Sequence, residues 1–264
     1  MTETLSLRAK IEQSPMGAYQ WMIVVMAAIM NLLDGFDVLA LAFTATAIRG
    51  EFGLTGIELG YLLSAGLFGM TAGSLFLAPL ADKIGRRPLL LMAVSLSAIG
   101  MLGSAFISQY QWLGFWRVIT GLGVGGILVG TNVITSEYSS RKWRSFAISV
   151  YAAGFGIGAV LGGMFAVMLQ GEYGWRSVFL AGAILTGLLL VVLFIWLPES
   201  IDFLTSKQPK NAEVRLNLIA KKIGLAGDWK LPAKTEKVKT KLPISQLFSE
   251  KYLHSTLLIW TAFF

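Results

Sequence analysis

Charged side chains punctuate the first 200 residues only at wide intervals. None falls between Glu58 and Asp82, Arg87 and Arg117, Arg144 and Glu172, or Arg176 and Glu199. Each interval holds at least the ~20 predominantly apolar residues a helix needs to cross a bilayer. The interval after Arg87 is divided by the polar run Ser108-Gln109-Tyr110-Gln111, read as a tight loop between two spans. The pattern predicts six full spans, over 20–47, 59–81, 89–108, 113–136, 146–169 and 176–197. A seventh apolar run starts near Tyr252 and reaches Phe264. It is too short to cross, so the sequence reads as cut in mid-helix.

The domain expectations follow: a cytoplasmic tail over 1–19, a six-helix transmembrane bundle over 20–199, a cytoplasmic basic linker over 200–250, and the start of a truncated helix 7 over 251–264. The tail is not read as a signal peptide, because it carries both charge signs and span 1 is too long for an h-region. Lys and Arg assign the sides. Nineteen lie in the tail, the 2–3 loop, the 4–5 loop and the stretch after span 6, against only Arg49 and Arg176 opposite them. The N-terminus is therefore expected in the cytoplasm. In the linker, Asn211 to Leu225 reads as a short amphipathic surface helix with Leu216, Ile219 and Ile223 on one face. The Lys-rich residues 226–243 read as disordered.

Composition narrows the function. Of 264 residues, 55% are apolar and 14% charged, and mean hydropathy is +0.66. Soluble domains carry about 25% charged residues. There is no cysteine and only one histidine, His254. Thiolate metal sites and cysteine nucleophiles are excluded, and His-pair metal sites and Ser-His-Asp catalysis nearly so. There is no P-loop for ATP. The expectation is a polytopic membrane protein that is not an enzyme, has no cofactor, no metal and no catalytic residues, and is driven by something other than its own nucleotide site. The net charge of +7 is mostly the topological asymmetry and does not point to nucleic acid.

Three ionisable residues lie inside spans: Asp34 and Asp37 in span 1, Arg117 in span 4. Each costs ~2.5–3.5 kcal/mol or more at bilayer centre, so such residues face a bundle interior or watery cavity, usually with partners. Asp34 and Asp37 are three apart and share a helix face. Two carboxylates so close cannot both ionise cheaply in a low dielectric, which makes the pair a candidate proton carrier. Asn31 extends the polar stripe, and depth along the helices pairs Asp37 with Arg117. The planar fork of Arg117 suits a substrate carboxylate. The alternative is that the three only hold spans 1 and 4 together. Phe36, Trp116, Tyr151 and Phe155 are candidate ring contacts, or plain packing.

Glycines recur in spans 2, 4 and 5, including Gly69 and Gly73, Gly121 and Gly125, and Gly154 and Gly158. Small residues four apart let helices approach closely, for packing alone or for sliding during a conformational change. The 2–3 loop reads Pro79-Leu80-Ala81-Asp82-Lys83-Ile84-Gly85-Arg86-Arg87-Pro88. With Glu137 ending span 4 and Arg144 opening span 5, its charges Asp82, Arg86 and Arg87 form a candidate inner-face latch, or serve topology alone.

This loop resembles the G-x-L-A-D-R-x-G-R-R signature between helices 2 and 3 of the major facilitator superfamily. It departs at Ala78, where the family has Gly, and at Lys83. Arg117 with Gly121-Leu122-Gly123 resembles the helix-4 motif of that superfamily. Tyr173-Gly174-Trp175-Arg176 and Leu197-Pro198-Glu199-Ser200 resemble the two ends of its helix 6. Within it, Asp34-Gly35-Phe36-Asp37, Tyr19-Gln20-Trp21, Ser136-Glu137-Tyr138 and Leu247-Phe248-Ser249 resemble the aromatic acid:proton symporter group.

The resemblance implies an all-α membrane fold: a six-helix N-terminal half made of two inverted three-helix repeats, plus a truncated seventh helix. It implies proton coupling at Asp34 and Asp37, substrate binding or gating around Arg117, Asn31, Phe36 and Tyr151, and a latch of Asp82, Arg86, Arg87, Glu137 and Arg144. The implied function is proton-coupled uptake, by alternating access, of an organic anion: an aromatic acid or a ring-cleavage dicarboxylate. The missing Pro in Gly158-Ala159-Val160-Leu161-Gly162-Gly163 favours symport. The partners implied are a small organic acid, protons, the lipid bilayer of a bacterial inner membrane, and a missing C-terminal half or a second copy. A truncated non-transporting fragment and a sugar or drug carrier of the same superfamily are the alternatives.

Overall fold

The structure is a computed structural model that describes residues 7–231, 249, 253–255 and 258. The helices are α1 (Leu7–Gln13), α2 (Ala18–Phe52), α3 (Gly56–Ile84), α4 (Arg86–Ala105), α5 (Tyr110–Tyr138), α6 (Arg144–Tyr173), α7 (Trp175–Trp196), α8 (Ile201–Lys207) and α9 (Ala212–Lys222). Six of them, α2 to α7, are long and apolar enough to cross a membrane, and they are the six predicted spans. Among the described residues there is no strand. The predicted helix 7, residues 1–6 and residues 232–243 of the Lys-rich stretch lie largely or wholly outside the described residues. In the second compact unit, Pro232–Phe264, the Leu253 N–H donates to the carbonyl of Ser249 at 2.8 Å.

Several helices run past the limits predicted from hydropathy. Span 1 was expected over 20–47, yet α2 continues to Phe52, because polar residues at its end find partners. Arg49 Nε donates to the carbonyl of Leu54 at 3.2 Å, and Glu51 accepts from Trp175 Nε1 at 2.7 Å. Gly53, at φ +63°, then ends the helix in the left-handed region. Helix α3 opens on a capping box, with Thr55 and Glu58 each accepting from the other's backbone N–H.

The packing is that of two interlocked three-helix repeats, α2–α4 and α5–α7. Helix α3 packs chiefly on α5, and α2 on α6; these pairings exchange under a two-fold relating the repeats. So do α4 on α5 and α7 on α2, while α4 on α7 maps to itself. A repeat of three spans starts its successor on the opposite membrane face, so the second repeat is inverted. The glycines make the two principal seams. A Cβ at Gly69 of α3 would collide with the Val118 carbonyl, and one at Gly121 of α5 with that of Gly66. Across α2 and α6, Gly35 and Gly158 stand in the same relation to Phe155 and Leu32. Only glycine allows this backbone approach.

Two apolar clusters fill the bundle. One, at the end bearing most Lys and Arg, includes Met30, Leu33, Val94, Ile127 and Leu193. The other includes Phe36, Met101, Leu113 and Phe179. Polar residues fall between them on three helices: Asp34 on α2 follows Leu33, Ser97 on α4 follows Val94, and Arg117 and Thr120 on α5 lie between Leu113 and Ile127. The clusters therefore bracket a polar layer near mid-span.

At the basic end the linker is structured. The predicted helix Asn211–Leu225 is α9, Ala212–Lys222, and its apolar face packs rather than lying free. Leu216, Ile219 and Ile223 are buried with Leu197, Ile201 and Leu204, and with Leu7 and Ile11 of α1. The expected disorder from residue 226 is not seen over 226–231: Trp229 N–H donates to Asn217 Oδ1 at 2.9 Å and its Nε1 to the Leu225 carbonyl at 2.8 Å.

Candidate functional site

Asp34, Asp37, Asn31 and Arg117 are each at most 3% exposed. Their burial follows from the periodicity of α2, which puts residues 31, 34 and 37 on one stripe, and from the glycine seams that draw α5 and α6 against it. A small cavity of about 30 Å³ lies between α2, α3 and α5. Asp37 and Arg117 line it with Thr120 and the apolar Leu41, Leu62, Leu67 and Met70. Its mostly apolar wall with a few polar groups has the make-up of a small-molecule site, but its volume is well below the ~300–1,000 Å³ of such sites, so in this conformation it holds no more than a water-sized group.

The structure brings Asp37 and Arg117 together, but not as the ion pair expected from depth. Asp37 Oδ2 accepts from Ser97 Oγ at 2.6 Å, while its Oδ1 is enclosed without a partner. Arg117 Nη1 instead reaches the main-chain carbonyl of Asp37 at 3.4 Å. Its Nη2 donates to Ser104 Oγ at 2.9 Å and approaches Met101 Sδ at 3.1 Å. The guanidinium stacks 4.7 Å from the Phe179 ring, and Nε has no partner. Among the described residues, no carboxylate lies within ion-pair distance of it. The charge is held by a hydroxyl, a sulfur, a carbonyl and a π face, which leaves the fork available to a carboxylate.

Asp34 lies one turn from Asp37, with its Oδ2 enclosed and unpartnered. Asn31 donates its amide to the carbonyls of Tyr151 at 2.9 Å and Ala152 at 3.4 Å, tying α2 to α6, while its Oδ1 stays unpartnered. Tyr151 is buried and within electrostatic reach of Asp34. Neither Asn31 nor Tyr151 lines the cavity. Phe36, expected as a ring contact, is not placed to be one. It packs in the core against Gly162 and Gly182, where Cβ atoms would meet its ring.

Helix α4 supplies the residues that the sequence reading missed. Ser97, Met101 and Ser104 hold Asp37 and Arg117. Their signal was present: Ser97, Gly100, Met101 and Ser104 sit at i, i+3, i+4 and i+7, one small, polar face in an apolar helix. Their importance depends on partners 60 and 13 to 16 residues away.

The expected latch charges do not pair with one another as one cluster; they form two groups joined at Ser200, whose N–H serves one and whose hydroxyl serves the other. In the first, Arg86 Nη1 pairs with Asp82 Oδ1 at 2.7 Å, and Arg87 Nη2 donates to the Phe194 carbonyl at 2.6 Å. Glu199 organises it: one oxygen, Oε1, accepts from the backbone N–H groups of Arg86 at 2.8 Å, Arg87 at 3.0 Å and Ser200 at 2.9 Å. A carboxylate at the start of α4 satisfies orphan donors and the helix dipole. In the second, Glu137 caps α8, accepting from Ser200 Oγ and the Ile201 N–H, both at 2.8 Å. Arg144 does not join Glu137; its Nη2 pairs with Glu12 Oε1 at 2.6 Å on α1. Arg8 pairs with Asp202 and lies 3.8 Å from Glu12.

A six-helix bundle of inverted repeats with a charged layer at mid-span narrows the field to membrane carriers, and comparison with known proteins decides among them. The family profile described as Major Facilitator Superfamily matches residues 27–264. The chain belongs to that superfamily. Among its relatives, the gallate transporter of Pseudomonas putida is 34% identical over 254 residues, covering 96% of this chain and 57% of the relative. The 4-hydroxybenzoate transporter PcaK of Pseudomonas putida is 33% identical over 265 residues, covering 99% of this chain and 59% of the relative. The chain thus spans less than three-fifths of the curated relatives it matches. In structure it is similar to the major facilitator superfamily proton:xylose symporter XylE, with TM-score 0.70, 22% identity, and coverage of 80% of this chain and 50% of XylE. That likeness shows the superfamily fold. Transporters of aromatic acids are the sequence relatives, as the Asp34-Gly35-Phe36-Asp37 resemblance implied. The protein is a multi-pass membrane protein of a transporter superfamily.

Proposed function

We propose that this chain supplies the six-helix cation- and anion-handling half of a proton-coupled carrier for aromatic carboxylates. The observation that carries the reading is the mid-span layer: two buried aspartates with unpartnered oxygens beside an arginine that no carboxylate contacts among the described residues, at the edge of a small cavity. An incoming proton neutralises the Asp34/Asp37 pair. The substrate carboxylate takes the open fork of Arg117, and its ring lies along the apolar wall of Leu62, Leu67 and Met70. Binding of both shifts the balance between outward- and inward-open states, and the cargo crosses by alternating access. The basic end faces the cytoplasm of a bacterial inner membrane, by the asymmetry of Lys and Arg. The names of the relatives supply the substrate class.

The test is uptake of labelled 4-hydroxybenzoate and gallate by cells that produce the protein and lack their own uptake, with xylose as control. Accumulation of an aromatic acid that collapses with a protonophore supports the reading. Accumulation of xylose alone, or of the acid with no effect of the protonophore, refutes it.

A further inference from the structure

A second cavity, of about 250 Å³, lies at the basic end between the start of α2, the start of α4, the end of α7 and α9. Arg87, Arg215 and Lys222 line it, with Tyr19, Trp196 and the carboxylate of Glu199. It is far along the helices from Asp37 and Arg117 and shares no residue with their cavity. We propose that this pocket binds the phosphate headgroup of an anionic phospholipid.

Three features of the pocket support this. Its charge is net positive, because three cations face one carboxylate, and that carboxylate is already engaged by three backbone N–H groups. Its donors are in part unspent. Arg87 gives Nη2 to the Phe194 carbonyl, but its Nε is enclosed and unpartnered, and Lys222 Nζ rests 5.3 Å over the Tyr19 ring. Finally, it opens where acyl chains would be. Ile184, Leu188, Val191 and Ile195 form an exposed stripe along α7 at helical spacing, each at least 54% exposed, and the stripe runs into the pocket at Ile195 and Trp196. Tyr and Trp at this level are the amphipathic side chains that mark a membrane–water boundary. A basic pocket between transmembrane helices, on the side carrying the positive loops, is the chemistry that captures anionic headgroups. A free phosphate could meet the same cations but gains nothing from the apolar stripe.

The test uses the whole chain in zwitterionic detergent, titrated with short-chain phosphatidylglycerol and followed by native mass spectrometry. Inorganic phosphate and short-chain phosphatidylcholine are the comparison ligands. Saturable binding of phosphatidylglycerol, with phosphatidylcholine at least tenfold weaker and millimolar phosphate failing to displace it, is expected. The double variant Arg215→Gln, Lys222→Gln should weaken binding by about 30-fold, at roughly a tenfold loss or less per cation. The charge-matched control Lys210→Gln, Lys221→Gln lies outside the pocket and should leave binding unchanged. Equal loss in the two double variants would reduce the effect to general charge attraction and overturn the proposal. So would displacement by phosphate, or equal binding of phosphatidylcholine. Melting curves on both variants separate loss of the site from loss of the fold, and because Lys210 just before α9 and Arg215, Lys221 and Lys222 on it are all exposed, both should melt as the parent does.

Discussion

Arg117 reaches the main-chain carbonyl of Asp37 at 3.4 Å and leaves that residue's carboxylate to the hydroxyl of Ser97. The pair is adjacent but not joined. In the proposed carrier a direct ion pair would compete with both cargoes, because substrate would have to displace Asp37 and a proton would have to displace Arg117. Separation leaves one group to each. Asp37→Asn keeps the shape and the Ser97 contact but removes the titratable charge. Accumulation driven by a pH gradient should fall to background, while exchange of labelled for unlabelled substrate at equal pH persists. Accumulation at parental levels in that variant would remove Asp37 from proton coupling.

Arg117→Lys tests the other cargo. A lysine keeps the charge but cannot form the bidentate fork or stack on Phe179 as guanidinium does. Hydrogen bonds to a charged group are worth ~1.5–3 kcal/mol, so the apparent KM for an aromatic carboxylate should rise about 10- to 100-fold. An unchanged KM would show that the substrate carboxylate binds elsewhere.

The spans were legible because charge is so costly in a bilayer that its spacing marks the boundaries. The polar layer was legible for the same reason: Asp34, Asp37 and Arg117 stand out against apolar neighbours. Their partners were not. Asn31 reads as one more member of a stripe, yet it binds carbonyls 120 and 121 residues away. Arg144 and Glu137 lie close in sequence and go to different partners. Phe36 carries no mark that distinguishes a core ring from a substrate contact; only the glycines facing it do, and they sit on other helices. Pairing across a bundle is set by which helices meet, and hydropathy is silent about that.

The glycine seams give a matched prediction on one helix. A Cβ at Gly158 of α6 would collide with the backbone of Leu32, whereas at Gly156 nothing lies within 4 Å. Gly158→Ala must part α2 from α6, and overpacking of this kind costs ~1–3 kcal/mol. Gly156→Ala should be neutral, or stabilising by up to ~1 kcal/mol through helix propensity. Melting in detergent, read by circular dichroism, should lower Tm for the first and not for the second. Equal Tm values would mean the seam is looser than the packing indicates.

Glu199 depends on Gly85 for its position. Gly85 has φ +105° and ψ 161°, a region essentially confined to glycine, and a Cβ there would stand 2.9 Å from the carboxyl carbon of Glu199. Gly85→Ala therefore combines backbone strain with expulsion of the carboxylate that caps α4. Strain alone costs ~1–3 kcal/mol, and loss of a cap adds ~1 kcal/mol. Glu199→Gln loses the charge but keeps an acceptor oxygen, so it should lower Tm by less. The opposite order would show that the carboxylate charge, not the backbone turn, sets the start of α4.

Helix α1 is held to the basic end by two kinds of contact, and their magnitudes decide which matters. Glu12 pairs with Arg144, whose hydrogen bond holds the Glu12 carboxyl below its usual 4.5. A carboxyl lowered on folding contributes fully above pH 4.5 and loses that contribution as pH falls through its lowered value. Both side chains are about one-third exposed, and such pairs are typically worth only ~0.2–1 kcal/mol. Leu7 and Ile11, by contrast, are 3% and 0% exposed in the core, and truncating a buried Ile to Ala costs ~2–5 kcal/mol. Acid should therefore loosen α1 and Ile11→Ala should release it. The chain has no cysteine, so spin labels can be placed selectively through Gln13→Cys and Lys142→Cys. Their distance distribution should be narrow at neutral pH and broaden modestly as pH falls below 4.5 and through the lowered value, with Glu12→Gln showing the same broadening at neutral pH. Ile11→Ala should shift most of the population to longer distances at every pH. If acid releases α1 as completely as Ile11→Ala does, the ion pair rather than the buried face holds the helix in place.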